Sequence, residues 1–436
     1  MFKITIAIVF IWFFNLFNNW QSDPDFGFWR HHIILLTGFL SITYMGVAAL
    51  LSARLKVVES FVKGLDKGYA QHKQLGIGAT LSLILHWASN EAPKWMIELG
   101  LMQPPSGKRP EKEESFSWHD FAGDVGEYSF YIFLIFAAIS LIHAFSYRRF
   151  ISVHKIAGLL IFAGIFHTLL LLDWNIASII MNTTILLISC LALFCAILSL
   201  SNKIGHKHKA QGHVIWQQAL TGKNDDVLGL HFKVKIEQPI HYLEGQFAYL
   251  NFHDKEPPHP FTIVNYDKVS KVLEFAIKNL GDYTKTRVKG LSNEQKVTVE
   301  GGYGRFQTPN NLHQVWIGAG IGITPFLARL NAISQQFGEE QGKKITLFYC
   351  VNNPSEAFFE QYILNIIDGI ESIQLIIIDS SKGERLTAED VLEQVLSPDA
   401  SICFCGPDTF AKHLKSKLIL SGMPEKNFHQ ENFKMR

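Results

Sequence analysis

Net charge is nearly absent from this chain. Its 40 Lys and Arg residues stand against 39 Asp and Glu, a formal +1, so nucleic acid has no electrostatic case as a partner. Paired cysteines are missing too. The five cysteines are Cys190, Cys195, Cys350, Cys403 and Cys405. None falls in an expected external loop, and no CxxC or Cys/His zinc spacing occurs, so neither disulfides nor structural zinc is expected. No small-residue cleavage site follows the apolar run at 4–20. A retained first span is expected there, with Trp20 and Trp29 as interface anchors, in preference to a signal peptide. Long apolar runs are almost absent after residue 200.

What is present is therefore uneven. The apolar average of 48% joins two unlike halves. Six stretches, about 3–20, 31–52, 72–91, 128–147, 152–172 and 176–200, are long enough for a hydrocarbon core of roughly 30 Å. Arg54, Lys56, Lys63, Lys67 and Lys73 follow the second span or open the third. Arg148, Arg149 and Lys155 flank the fourth and fifth, and Lys203, Lys207 and Lys209 follow the sixth. The loop 92–127 is acidic instead. The positive-inside rule then puts both termini in the cytoplasm and makes the third and fifth spans parallel.

Those two spans carry paired histidines. His72 and His86 lie 14 apart, and His154 and His167 lie 13 apart. Either separation is about 20 Å along a helix. His72 and His154 fall near one face, and His86 and His167 near the other. Ionisable residues inside a span are costly, and neutral imidazole is a haem-iron ligand. Two bis-histidine haems bridging these spans are expected; ordinary helix histidines are the plainer alternative. Fourteen residues return to nearly the same azimuth, whereas thirteen leave about 140° between side chains. Either the fifth span bends, near Gly158 or Gly164, or the haems sit at different azimuths. His31 and His32, beside Arg30, could line an outer cavity.

From about 213 to 300, short strands alternate with turns, which suits a small antiparallel barrel. HPFT (His259, Pro260, Phe261, Thr262) opens one strand after a proline turn, where a hydroxyl and backbone amides can hold a flavin edge. KNLGDYT (278–284) follows another, with Lys278, Gly281, Asp282, Tyr283 and Thr284; its helix start offers amides to a pyrophosphate. Beyond 314, QVWIGAG, KITLFYCV, IQLIIID and SICFCG are apolar strands separated by helical stretches, an α/β nucleotide fold with a parallel sheet. GAGIGITP places Gly318, Gly320, Gly322, Ile323 and Thr324 in a strand–turn–helix, though without the third glycine of GxGxxG. Cys405, Gly406 and Pro407 end the last strong strand, where a sheet of this kind binds ligand. Cys405 touches the nicotinamide or is a plain buried cysteine. Phe433 covers the flavin ring or packs the last strand.

Across nearly its whole length the chain resembles the ferric reductase and NADPH oxidase superfamily, close in size to compact bacterial NADPH oxidase-like proteins. The histidine spacings, HPFT, LGDYT, GxGxGxTP, CGP and ENF carry the resemblance in order. It implies a six-helix transmembrane di-haem domain (1–204), an FAD-binding β-barrel domain (205–308) and an α/β NAD(P)H-binding domain (309–436). His72 and His154 would hold the inner haem, and His86 and His167 the outer. His259 to Thr262 and Gly281 to Thr284 would bind FAD, Gly318 to Thr324 and Cys405 to Pro407 the nicotinamide nucleotide. In the related ferredoxin reductases a serine and a basic residue after the third strand bind the 2′-phosphate. Ser381 and Lys382 occupy that place and favour NADPH over NADH. Animal oxidases carry a further histidine one turn beyond the outer ligand, where this chain has Asn90.

The implied activity is electron transfer from cytosolic NADPH through FAD and two b-type haems to an acceptor across the lipid bilayer, in a bacterial inner membrane. The first reading of the acceptor is O2, reduced to superoxide. A ferric chelate, or a docked extracytoplasmic protein, are the alternatives. If Phe433 covers the flavin, deleting residues 433–436 should alter FAD retention or nicotinamide turnover while haem content stays normal. A truncated protein matching the parent in both would refute the stacking role.

Overall fold

The computed structural model describes residues 1–104, 116–142, 147–175, 178–306, 308–309, 311–335 and 343–431. The chain forms two compact units, Met1–Glu59 with Gly68–Ile204, and Ser60–Lys67 with Gly205–Arg436.

The first unit is helical. Its elements are α1 (Phe2–Asn18), α2 (Phe26–Ser52), most of α4 (Leu65–Glu98), α5 (Trp118–Leu141), α6 (Tyr147–His154), α7 (Ile156–Leu171) and α8 (Ile179–Leu200), with a short α3 (Lys56–Val62) leading into α4. Apolar runs this long bury their backbone polar groups only by closing every N–H onto a carbonyl, which makes them helical. Their ends are set by side chains. Asp25 caps α2, accepting from the Phe28 amide at 2.8 Å, and Ser117 caps α5, accepting from the Asp120 amide at 3.2 Å.

Among the described residues, four helical segments are long and apolar enough to cross a membrane: Phe26–Ser52, Trp118–Leu141, Tyr147–Leu171 and Ile179–Leu200. Six were expected. α1, at 17 residues, is a shorter apolar helix. α4 runs for 34 residues, but His72, Lys73, Gln74 and His86 dilute its apolar character. The core of the unit joins α1, α2, α7 and α8 through Ile8, Phe39, Ile161, Ile165, Met181 and Ile185. Gly46 lets α2 approach α8, since a Cβ there would lie 2.9 Å from the Ile188 side chain.

The second unit holds a closed six-stranded antiparallel barrel and a five-stranded parallel sheet. The barrel strands are β1 (Lys209–Thr221), β2 (Val227–Ile236), β3 (Phe247–Asn251), β4 (His259–Asp267), β5 (Val272–Lys278) and β6 (Lys296–Tyr303), in the order β1-β2-β5-β4-β3-β6. Helix α9 (Asp282–Gly290) follows β5. Alternate side chains fill the barrel, among them Val214, Phe232, Leu250, Phe275 and Val299.

The sheet contains β7 (His313–Ala319), β8 (Lys344–Val351), β9 (Ile373–Asp379), β10 (Ser401–Cys405) and β11 (Phe428–Glu431), ordered β11-β10-β7-β8-β9. Helices α10 (Thr324–Gln335), α11 (Glu360–Ile367), α12 (Ala388–Glu393) and α13 (Asp408–Leu420) connect them. The chain steps from β7 outward to β8 and β9, then returns to β10 on the other side of β7. The connections after β7 and β10 thus diverge, which opens a crevice at the carboxyl ends of those strands. The glycine turn and the Cys405-Gly406-Pro407 corner sit at this switch point. Only β11 went unread in the sequence, because FHQE carries one apolar residue and no strand-like alternation.

Candidate functional site

In the helical unit the four histidines meet as two pairs. The His72 and His154 rings lie 5.8 Å apart between centroids, and the His86 and His167 rings 6.2 Å. A histidine–metal bond of about 2 Å on each side, plus the half-width of each ring, puts two axial imidazoles about 6 Å apart. Both separations match that figure. No cluster of three or more His, Cys, Asp or Glu suited to a metal occurs among the described residues. Each pair therefore brings two imidazoles together with no third His, Cys, Asp or Glu beside them among the described residues.

The ring nitrogens have fixed roles. His72 Nδ1 lies 2.8 Å from the Ala48 carbonyl, His86 Nδ1 3.1 Å from the Ile34 carbonyl, and His167 Nδ1 2.8 Å from the Ala122 carbonyl. A carbonyl only accepts, so Nδ1 carries the proton and donates. Nε2 keeps its lone pair for a metal, and the second bond fixes the ring plane. His154 Nδ1 faces the Ser140 hydroxyl at 3.4 Å.

Register explains the pairing. Ile34 and Ala48 are 14 apart on α2, the same spacing as His72 and His86 on antiparallel α4, so one helix serves the other at both levels. Ala122 and Ser140 are 18 apart on α5, against 13 between His154 and His167. Between those two histidines the helix is interrupted where α6 gives way to α7. α6 ends at His154, and the Gly158 amide bonds the Lys155 carbonyl at 3.0 Å, an i→i+3 contact that changes the pitch. His154 and His167 nevertheless both face α4 histidines, despite their thirteen-residue spacing. Gly126 completes the outer pair: a Cβ there would overlap the His167 ring. Arg30 does not stand free beside His31 and His32. It donates to the Ser89 and Asn90 carbonyls and to Asn90 Oδ1, at 3.0, 3.1 and 3.0 Å.

In the barrel, Pro260, Phe261 and Thr262 pair with Tyr249, Ala248 and Phe247 of β3. The His259 ring lies flat on Tyr283, 3.7 Å away at 11°. Arg287 stands 3.3 Å from Asp254, its guanidinium 6.0 Å from the Tyr283 ring. Burial lowers the His259 pKa to about 4, against the pull of Asp254, so this ring is neutral near pH 7. Thr284 Oγ1 accepts from the Leu280 and Gly281 amides, each at 3.0 Å. Two of the amides expected to await a pyrophosphate are thus held by Thr284. Nothing lies within 4 Å of where a Gly281 Cβ would be, which leaves its surface open. Nothing is described of the Asp282 side chain.

At the switch point the glycines serve packing first. A Cβ on Gly322 would strike the Cys405 carbonyl, and one on Gly406 would lie 2.7 Å from Ala319 Cβ. Gly320 alone has a left-handed backbone, φ +57°. Ile323 and Thr324 are buried, backbone and side chain alike. Lys278 Nζ lies 2.5 Å from Glu356 Oε2, and Glu356 also accepts from Asn352 and Asn353, each at 3.1 Å. Ser381 and Lys382 both bind Asp379.

Cys405 is fully buried, with Sγ 3.8 Å from Glu431 Oε2. Burial, with the adjacent Glu431, holds its thiol well above the usual range. Phe433 lies outside the described residues. Glu431, Glu356 and Asp379 were missed as site residues. Glu431 stands at the head of the ENF motif, whose aromatic drew the reading; Glu356 and Asp379 have no motif around them. Burial pushes Glu431 up to about 8, the Asp66 charge adding and the Cys405 hydrogen bond opposing. A raised folded pKa favours the protonated acid. That stability is full below about pH 4.5 and is lost as pH rises through about 8. Glu431→Gln should therefore flatten the fall in thermal midpoint across this window. Parent and variant profiles that run parallel would refute the buried-acid assignment.

Comparison with known proteins places three family models on the chain in order. A ferric reductase like transmembrane component matches residues 37–165, an FAD-binding domain 214–318, and an oxidoreductase NAD-binding domain 316–416. The carnitine monooxygenase reductase subunit of Escherichia coli is 26% identical over 134 residues, 29% of this chain and 39% of that protein. The chain thus spans well under half the length of that curated relative. Among solved structures, a flavohemoglobin from Malassezia yamatoensis, with bound FAD and heme, is 15% identical, covering 93% of this chain and 96% of its own, with a TM-score of 0.48. An Amycolatopsis cytochrome P450 reductase is 17% identical, covering 52% and 69%, with a TM-score of 0.45. A transmembrane reductase domain among apolar helices makes this an integral membrane oxidoreductase. With FAD- and NAD-binding domains following it in one chain, the protein belongs to the ferric reductase and NADPH oxidase-like flavocytochrome superfamily.

Proposed function

We propose that this protein passes electrons from NAD(P)H through FAD and two b-type haems to dioxygen across a membrane, giving superoxide. The observation that carries the reading is the pair of facing imidazole couples at 5.8 and 6.2 Å. His72 with His154 would hold the inner haem, His86 with His167 the outer. Bound there, haem would supply a one-electron relay, which favours one-electron products.

The protein's own residues set up that relay. The Ala48, Ile34 and Ala122 carbonyls hold the Nδ1 protons and aim Nε2 between the helices. His259 to Thr262 and Gly281 to Thr284 would carry FAD, with the flat His259–Tyr283 stack and Arg287 at its edge. Gly318 to Thr324, Lys278 and Cys405 to Pro407 would carry the nicotinamide nucleotide, with Ser381 and Lys382 near its ribose. Cys405 would act through its backbone and its neighbour Glu431, and Phe433 would cover the flavin. The reading takes α1 and α4 as spans beside the four apolar ones. It assigns domains at 1–204, 205–308 and 309–436. It places the termini and both nucleotide domains in the cytoplasm of a bacterial cell.

Purified protein should bind two low-spin haems, and His86→Ala or His167→Ala should lose one. Gly126→Val should also lose the outer haem alone, by displacing the His167 ring. A haem content unmoved by all three changes would sink the ligand assignment. Cytochrome c reduction with NAD(P)H should be largely abolished by superoxide dismutase. Insensitivity to the dismutase would replace dioxygen with a ferric chelate or a partner protein as acceptor.

A further inference from the structure

We infer that the loop after β9 selects NADH against NADPH, with Asp379 as the residue that reads the ribose. The inference rests on the nucleotide site proposed above and goes against the expectation drawn from Ser381 and Lys382 alone.

Asp379 is the last residue of β9 and is 3% exposed. Its Oδ1 accepts the Ser381 amide at 3.0 Å and the Ser381 hydroxyl at 2.7 Å. Lys382 Nζ stands 3.7 Å from its Oδ2. Gly383, at φ +82°, turns the chain back, and Glu384 Oε2 accepts the Asp379 amide at 3.1 Å. Two carboxylates thus organise the loop, Asp379 buried and Glu384 exposed, and both groups expected to hold a phosphate are already engaged. The Ser381 proton points at Asp379, so the hydroxyl turns lone pairs outward. The Lys382 charge is opposed by the same carboxylate.

Asp379 Oδ2 accepts no hydrogen bond within 3.5 Å, and Lys382 Nζ at 3.7 Å faces it as an ion pair. A buried acceptor with an open lone pair complements a donor, and the 2′-hydroxyl of NADH is one. A 2′-phosphate brings nearly two negative charges and only acceptors at neutral pH. It would set acceptor against acceptor beside two carboxylates. The position is apt. β9 lies two strands from the glycine turn after β7, on the side toward β8, and the carboxyl edge of such a sheet carries the nucleotide. In dinucleotide folds generally, an acid at the ribose reads a free 2′-hydroxyl, whereas an arginine accommodates the phosphate.

The test uses the full-length holoprotein. Flavin reduction is followed by stopped flow with NADH and with NADPH, and binding of ADP-ribose and 2′-phospho-ADP-ribose is measured by calorimetry. NADH should lead by about tenfold in kcat/KM, and ADP-ribose should bind more tightly by a similar factor, as one lost hydrogen bond to a buried charge implies. Asp379→Asn should narrow both ratios severalfold, with the change in KM. If that variant loses FAD, Glu384→Gln, on an exposed side chain, should narrow them in the same direction. A parent that prefers NADPH or treats the two alike overturns the inference and leaves the nucleotide site standing, as do ratios unchanged by the substitution. Flavin reduced by neither nucleotide removes the site itself, and the inference with it.

Discussion

An imidazole placed between helices has one N–H that must be satisfied, and the helical unit is arranged around that need. Main-chain carbonyls already bonded within α2 and α5 take the second bond, which their spare lone pair allows. This ties α4 to α2 at Ala48 and Ile34, and α7 to α5 at Ala122. Each bond fixes a helix register as well as a ring. Sliding α4 by one residue against α2 would break both contacts at once, because the two spacings of 14 are matched. The depth of each histidine pair is thus set by backbone geometry.

The same constraint decides what could be read from the chain. The histidine spacings were visible, as were the strand pattern and the two glycine-rich corners. The carbonyl partners were not, because any residue type can supply a carbonyl. The sequence offered a bend near Gly158 or Gly164, or haems at different azimuths, and an i→i+3 contact runs from the Gly158 amide to the Lys155 carbonyl. Gly126 carried no motif, yet the room it leaves is what seats the His167 ring. α4 reads poorly as a span for the reason it matters: His72 and His86 lower its apolar character.

In the nucleotide module the legible glycines turned out to have a second purpose. Gly322 and Gly406 permit strand-end backbones to touch across the switch point, so the β7 and β10 corners form one surface. A ligand there meets main chain from both connections. Thr284 likewise spends its hydroxyl on its own helix start, holding the Leu280 and Gly281 amides. Motifs of this type fix the shape of a loop first, and the loop then presents whatever backbone groups remain.

Charge in that module follows one pattern. Lys278 is held by Glu356 and Arg287 by Asp254, while the exposed Lys382 stands 3.7 Å from Asp379. Half-buried cations without a counter-charge are unstable, and a nearby carboxylate supplies it from within the fold. A phosphate arriving at Lys278 must compete with Glu356, itself anchored by Asn352 and Asn353. Affinity for the nucleotide is then a difference between two anions at one cation. The two Asn–Glu bonds weight it toward the protein's own carboxylate until the glycine-turn amides contribute as well. Lys278 Nζ lies 3.9 Å from where a Gly320 Cβ would be, so one anionic group can meet the cation and the glycine turn together.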